Sequence, residues 1–175
     1  MPETSASATQ EPASQEATAT ATNPFDRLLV PIDFSSASRA AYTLAMRLAE
    51  RWGSEVVLFH AAEADGNDEF LDHTGVPWGR SDVVGETREH LRRFADTVVP
   101  GTSSRVRVEA VRADSTVRAV VGACARYSPT MVVLGTRPRD RRRVFRSPAE
   151  RIMRAVSCPV LVVQGEPEAL MDADA

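Results

Sequence analysis

Between Arg27 and Val163 the chain alternates short apolar runs with stretches whose apolar residues recur every three or four positions. Arg27–Ile32 (RLLVPI), Glu55–His60 (EVVLFH), Thr130–Leu134 (TMVVL) and Pro159–Val163 (PVLVV) are continuous and rich in β-branched residues, the pattern of strands buried on both faces. Arg105–Val111 instead alternates Val106, Val108 and Val111 with polar residues, which predicts a strand less buried on one face, as at a sheet edge. The segments between these runs read as helices. Ala37, Ala41, Leu44, Ala45, Leu48 and Trp52 form one apolar stripe, with Ser35 or Ser36 available as the cap and Gly53 as the stop. Val84, Thr87, Leu91, Phe94 and Val98 form a second stripe over 83–98, closed by Pro100 and Gly101. Val117, Val120, Val121 and Cys124 form a third, for which Asp114 or Ser115 is the natural cap, and Ala149–Val156 forms a fourth helix.

The order β-α-β-α-β-α-β-α-β predicts a single α/β domain: a five-stranded, mostly parallel sheet with helices on both faces, Rossmann-like in architecture. The first β-α-β unit is near the roughly thirty residues that a parallel crossover needs, and such crossovers are right-handed. Ala61–Asp82, with Gly66, Gly75, Pro77 and Gly79 and no sustained period, reads as one long loop. Residues 1–24 contain no Val, Leu or Ile and cannot bury enough surface to offset the entropy of ordering, so they read as a disordered tail. Residues 165–175, with four acidic side chains, read as a second flexible tail, leaving 25–164 as the folded unit.

Composition narrows the function classes. The 175 residues are 43% hydrophobic, enough for one well-buried core. No apolar run approaches the roughly 20 residues needed to cross a bilayer, and the amino terminus lacks a basic segment followed by an apolar one. No membrane association is expected, and the chain reads as cytoplasmic. Cys124 and Cys158 are too few for a disulfide framework and lie in apolar stretches, so a structural role is expected for both. A formal charge of −3 argues against a general nucleic-acid binder. His60, His73 and His90 have no metal-ligand spacing, and neither a nucleophile elbow nor a paired-carboxylate motif is present, so no metal and no catalytic residue is assigned.

Ligands of open parallel sheets bind beyond the carboxyl ends of the strands, which singles out Asp33, Ala61, Ala113 with Asp114, and Gly135. Asp33 has two readings, a hydrogen-bond acceptor for a ribose hydroxyl or a helix-capping turn residue. Ser147-Pro148-Ala149-Glu150 is a capping box with proline at the first helical position, and a helix start of this kind can face a phosphate. Ahead of it Arg137, Arg139, Arg141, Arg142, Arg143 and Arg146 stand against the single acid Asp140; a solvated loop and a phosphate or polyanion contact both fit.

Taken together, RLLVPIDFSSASRAAYTLAMRLAERWGSEVVLFH at the start and MVVLGTRPRDRRRVFRSPAERIMRAVSCPVLVV at the end resemble the universal stress protein family over about residues 25–164. The resemblance implies an adenine nucleotide alpha hydrolase-like fold, with Asp33 at the position of the family's nucleotide-contacting aspartate and Ala61 where the backbone meets adenine. It also implies a homodimer paired through the last strand, Pro159, Val160, Leu161, Val162 and Val163, whose apolar edge needs a cover.

Nucleotide-binding members carry G-x2-G-x9-G-[S/T], whose glycines let backbone N–H groups approach the phosphates. Gly135 and Ser147 match its ends, but Pro138 occupies the second glycine position, Arg146 precedes the serine, and Ser147 comes two residues early. The expectation is therefore a non-enzymatic, cytoplasmic stress-response regulator with a degenerate phosphate loop. The alternative is an ATP-, ADP- or AMP-binding regulator, with or without slow ATP hydrolysis, that uses Asp33, Ala61, Gly135, Arg137 and Ser147, arginine fork donors replacing the lost amides. A third reading is an arginine-loop polyanion binder.

Overall fold

The computed structural model describes residues 23–63, 83–102, 104–136 and 148–164. Its elements are β1 (Arg27–Pro31), α1 (Ser36–Trp52), β2 (Glu55–Glu63), α2 (Val83–Val98), β3 (Arg107–Ala113), α3 (Thr116–Tyr127), β4 (Met131–Thr136), α4 (Pro148–Ala155) and β5 (Val160–Gln164). The strands form one sheet in the order β3-β2-β1-β4-β5, and every pairing is parallel.

The period of two along the central strands divides the core into two layers. Leu28 and Val30 of β1, Val56 and Leu58 of β2 and Val133 of β4 pack on one face, under α1 and α2. Leu29, Val57, Phe59, Val132 and Leu134 face the other way, under α3 and α4. Leu28, Leu29, Val30, Val57 and Leu58 have no exposed surface. Burying each such side chain contributes about 1.5–3 kcal/mol, which is why continuous apolar runs specify strands clad on both sides.

Caps set the helix ends. The Ser35 hydroxyl accepts from the Ser38 amide at 3.2 Å, and Gly53 ends α1 in the left-handed region at φ 68°. Ser115 caps α3 by accepting from the Arg118 amide at 3.4 Å.

Several boundaries differ from the sequence expectation for physical reasons. Strand β2 continues through Ala61 and Ala62 to Glu63, where a loop was expected, because its ladder with β3 runs on past the apolar run. Strand β3 starts at Arg107, two residues later than expected, after a turn in which the Arg105 amide donates to the Thr102 carbonyl at 2.8 Å. It does lie at the sheet edge. Gly135 is inside β4, paired with Val163, and does not terminate the strand. Val121, assigned to the inner stripe of α3, is 37% exposed, and Val120, Ala123 and Tyr127 form the buried face. Trp52 is likewise half exposed and stacks on Phe25, ring centroids 5.4 Å apart. The arginine-rich segment at 137–147, most of the 61–82 loop and both tails, apart from positions 23, 24 and 61–63, lie outside the described residues.

Candidate functional site

The strand order reverses between β1 and β4, so the crevice at the carboxyl end of β1 is where a doubly wound sheet accommodates ligands. A cavity of about 190 Å³ opens there, lined by Pro31, Ile32, Asp33, Phe59, His60, Ala61, Thr116 and Val120. Strands β1 and β2 supply its floor. The first turn of α3, which carries no acidic residue, supplies a wall and brings the positive end of a helix to the cavity.

Asp33 stands at the mouth, and its carboxylate turns toward the following helix. Asp33 Oδ1 accepts from the Ser35 amide at 3.0 Å and from the Ser35 hydroxyl at 2.5 Å, an Asx turn that orients the residue capping α1. The turn passes through Phe34 at φ 60°, a left-handed conformation that is costly for a bulky side chain. Ring contacts hold it there: Phe34 stacks on His90 with centroids 4.4 Å apart, lies 4.9 Å from His60 and meets Phe94 edge-on at 5.5 Å.

His60 ends the apolar run of β2 with its ring against the cavity. Its Nδ1 lies 2.7 Å from the Ile32 carbonyl oxygen. A carbonyl can only accept, so Nδ1 carries the proton in this contact. No metal-ligating group of three or more His, Cys, Asp or Glu occurs among the described residues.

Asp33 and Ala61 are thus brought together on the cavity wall, whereas Gly135 is not part of it. Gly135 packs against the start of α1, where an added Cβ would stand 2.0 Å from the Ala37 carbonyl oxygen and 2.7 Å from the Ser38 nitrogen. Arg137 and Ser147 lie outside the described residues. Sequence reasoning passed over Phe34 and Thr116. Thr116 was within reach of it, since it follows the capping Ser115 just beyond β3, two positions past the Asp114 that was singled out. Phe34 carried no signal, because its ring contacts depend on a histidine of α2, 56 positions further along the chain (90 − 34).

The arrangement defines a doubly wound α/β protein with a small pocket at the topological switch point. The model of the universal stress protein family matches residues 24–164, and the chain belongs to that family. Among solved structures it is similar to a universal stress protein family member from Burkholderia pseudomallei, at 24% identity and TM-score 0.54 over 80% of this chain and 96% of that one. It is also similar to universal stress protein UspA from Lactobacillus plantarum, at 16% identity and TM-score 0.55 over 79% and 97%. A universal stress protein solved in complex with cAMP matches at 14% identity and TM-score 0.55, over 80% of this chain and 97% of that one. No curated protein matches the sequence. At these identities the likeness to the solved structures establishes the fold.

Proposed function

We propose that this universal stress protein family member is a non-enzymatic, cytoplasmic regulatory protein that works as a homodimer and does not hold ATP. The observation that carries this reading is the commitment of two expected ligand residues to the chain itself. Asp33 is engaged by Ser35, and Gly135 is wedged against the carbonyl of Ala37, so each has a structural reason to be present without a nucleotide. The cavity that Asp33 lines, about 190 Å³, is below the roughly 300 Å³ at which pockets for drug-sized ligands begin. The loop that would carry a triphosphate has Pro138 where the family's nucleotide binders have glycine, which removes a donor.

Pairing through β5 supports the homodimer. Among the described residues β5 is hydrogen-bonded on one side only, to β4, and Val162 is 43% exposed on it. An apolar edge of this kind is covered in a two-fold dimer by the same strand of a second copy.

A second reading, an adenine-nucleotide-binding regulator, is favoured by the cavity itself, which lies at the switch point with Asp33, Ala61 and the amino end of α3 on its walls. The cAMP complex of a similar protein is in keeping with it. Isothermal titration with ATP, AMP and cAMP separates the two. The first reading expects no saturable ATP binding, and the second expects stoichiometric binding that is lost in Asp33→Ala.

A further inference from the structure

A second cavity, of about 260 Å³, lies between α1 and α2 and is lined by Phe34, Arg39, His90, Arg93, Phe94 and Thr97. It shares no lining residue with the cavity at the switch point, which is walled by α3 instead. Phe34 touches a residue of each, with its ring 4.9 Å from that of His60 and 4.4 Å from that of His90. The charge in the cleft is of one sign, and no carboxylate lines it. Of the three arginines of α2, Arg88 pairs with Glu109 at 3.3 Å and Arg92 with Glu89 at 3.5 Å. The guanidinium of Arg93 has neither an ion pair nor a hydrogen bond among the described residues, and the same holds for Arg39 of α1.

We propose that this cleft binds a phosphate dianion, held by Arg39 and Arg93 from two different helices, with His90 as a third donor. The dianion is either inorganic phosphate or the head of a small phosphate ester. At about 260 Å³ the cavity takes such a group with a short organic tail, and it is below the roughly 300 Å³ of pockets for drug-sized ligands.

The aromatic rings position the donors and do not stack the ligand. The Arg39 guanidinium carbon lies 5.2 Å from the centroid of the Phe94 ring, a cation–π contact that uses one face of the guanidinium and leaves its in-plane N–H groups for an oxyanion. His90 lies parallel to Phe34, with ring planes 10° apart, so its edge nitrogens are outside that contact. The Thr97 hydroxyl already gives its proton to the Arg93 carbonyl at 2.7 Å. Helix α1 starts beside the cleft with no acid in its first turn, so its positive end adds to the field. Donors without acceptors suit a ligand that only accepts. Two guanidinium forks and an imidazole edge carry more charge and more N–H groups than one carboxylate answers, and they match the oxygens and double charge of a phosphate. ATP with magnesium is a poor occupant, because the metal already takes phosphate oxygens that the guanidiniums need.

The test is isothermal titration of the full-length protein with inorganic phosphate and, separately, with glycerol 3-phosphate. An ionic strength of about 0.1 M screens charge effects beyond roughly 10 Å. Saturable binding at one site per chain is expected; tighter binding of the ion supports the cleft with free phosphate as its ligand, and tighter binding of the ester supports it with a phosphorylated small molecule. Arg93 is exposed, so Arg93→Gln should melt like the unaltered protein and weaken binding at least roughly tenfold, the loss of one charge-assisted pair. Arg39→Gln should do the same, and Arg93→Lys, which keeps the charge without the fork, should fall between. Arg92→Gln removes an equal charge one residue away, from a side chain paired with Glu89, and should leave the affinity within roughly threefold. No saturable heat with either probe, or equal losses in Arg92→Gln and Arg93→Gln, would overturn the proposal.

Discussion

Gly135 faces the backbone of Ala37 so closely that a methyl group added to it would lie 2.0 Å from the Ala37 carbonyl oxygen. Nothing there can yield cheaply, because the opposing atoms are the backbone of the first turn of α1, fixed by the Ser35 cap. Gly135→Ala should therefore destabilise the fold by about 3 kcal/mol, at the upper end of overpacking costs. Urea unfolding of the variant, read by circular dichroism, checks this. A midpoint equal to that of the unaltered chain would show that Gly135 is free to serve something other than packing.

Ser35 joins Asp33 to α1, accepting from the Ser38 amide and donating to the Asp33 carboxylate. Ser35→Ala removes both contacts, and the loss of an N-cap typically costs about 1 kcal/mol. The expected result is a lower unfolding midpoint with unchanged denaturant sensitivity. An unchanged midpoint would show that these contacts of Ser35 do not hold the start of α1.

Tyr42 is fully buried and its hydroxyl lies 2.6 Å from Thr102 Oγ1, which in turn donates to the Val99 carbonyl at 2.5 Å. Burial raises the Tyr42 pKa above its ordinary 10.0, outweighing the Thr102 hydrogen bond that lowers it. The unfolded chain therefore gives up this proton first. Its contribution to stability is fully present below the ordinary tyrosine pKa and is lost as pH rises from there toward the folded value. Tyr42→Phe should cost about 1 kcal/mol at neutral pH and should flatten the decline of stability above pH 10.0. Thermal melts of both proteins across the alkaline range decide it.

The outward side of β5 is the surface proposed for self-association, and Val162 stands on it at 43% exposure. Val162→Asp places a charge where two copies would pair and should convert a dimer to a monomer in light scattering, with little change in the melting of the isolated fold. A monomer before the substitution, at micromolar concentration, would refute the dimer.

The fold was legible because its information is local. Apolar runs such as RLLVPI and EVVLFH, the serines before α1 and α3 and Gly53 after α1 all report on their own neighbourhoods. Even the edge position of β3 was visible in the alternation of its valines. The candidate site was only partly legible. Asp33 and Ala61 followed from the rule about strand ends, and both line the cavity. The close approach of Gly135 to Ala37 was not legible, because it depends on how α1 lies over β4, which no spacing encodes. The contacts of Phe34 with His60 and His90 arise in the same way from elements distant in the chain.

The central claim is that two residues expected to serve a nucleotide, Asp33 and Gly135, hold the start of α1 in place instead. Isothermal titration of the full-length protein with ATP and magnesium addresses it most directly. We expect no saturable heat at millimolar nucleotide. A stoichiometric isotherm that Asp33→Ala abolishes, without loss of folded protein, would contradict the account.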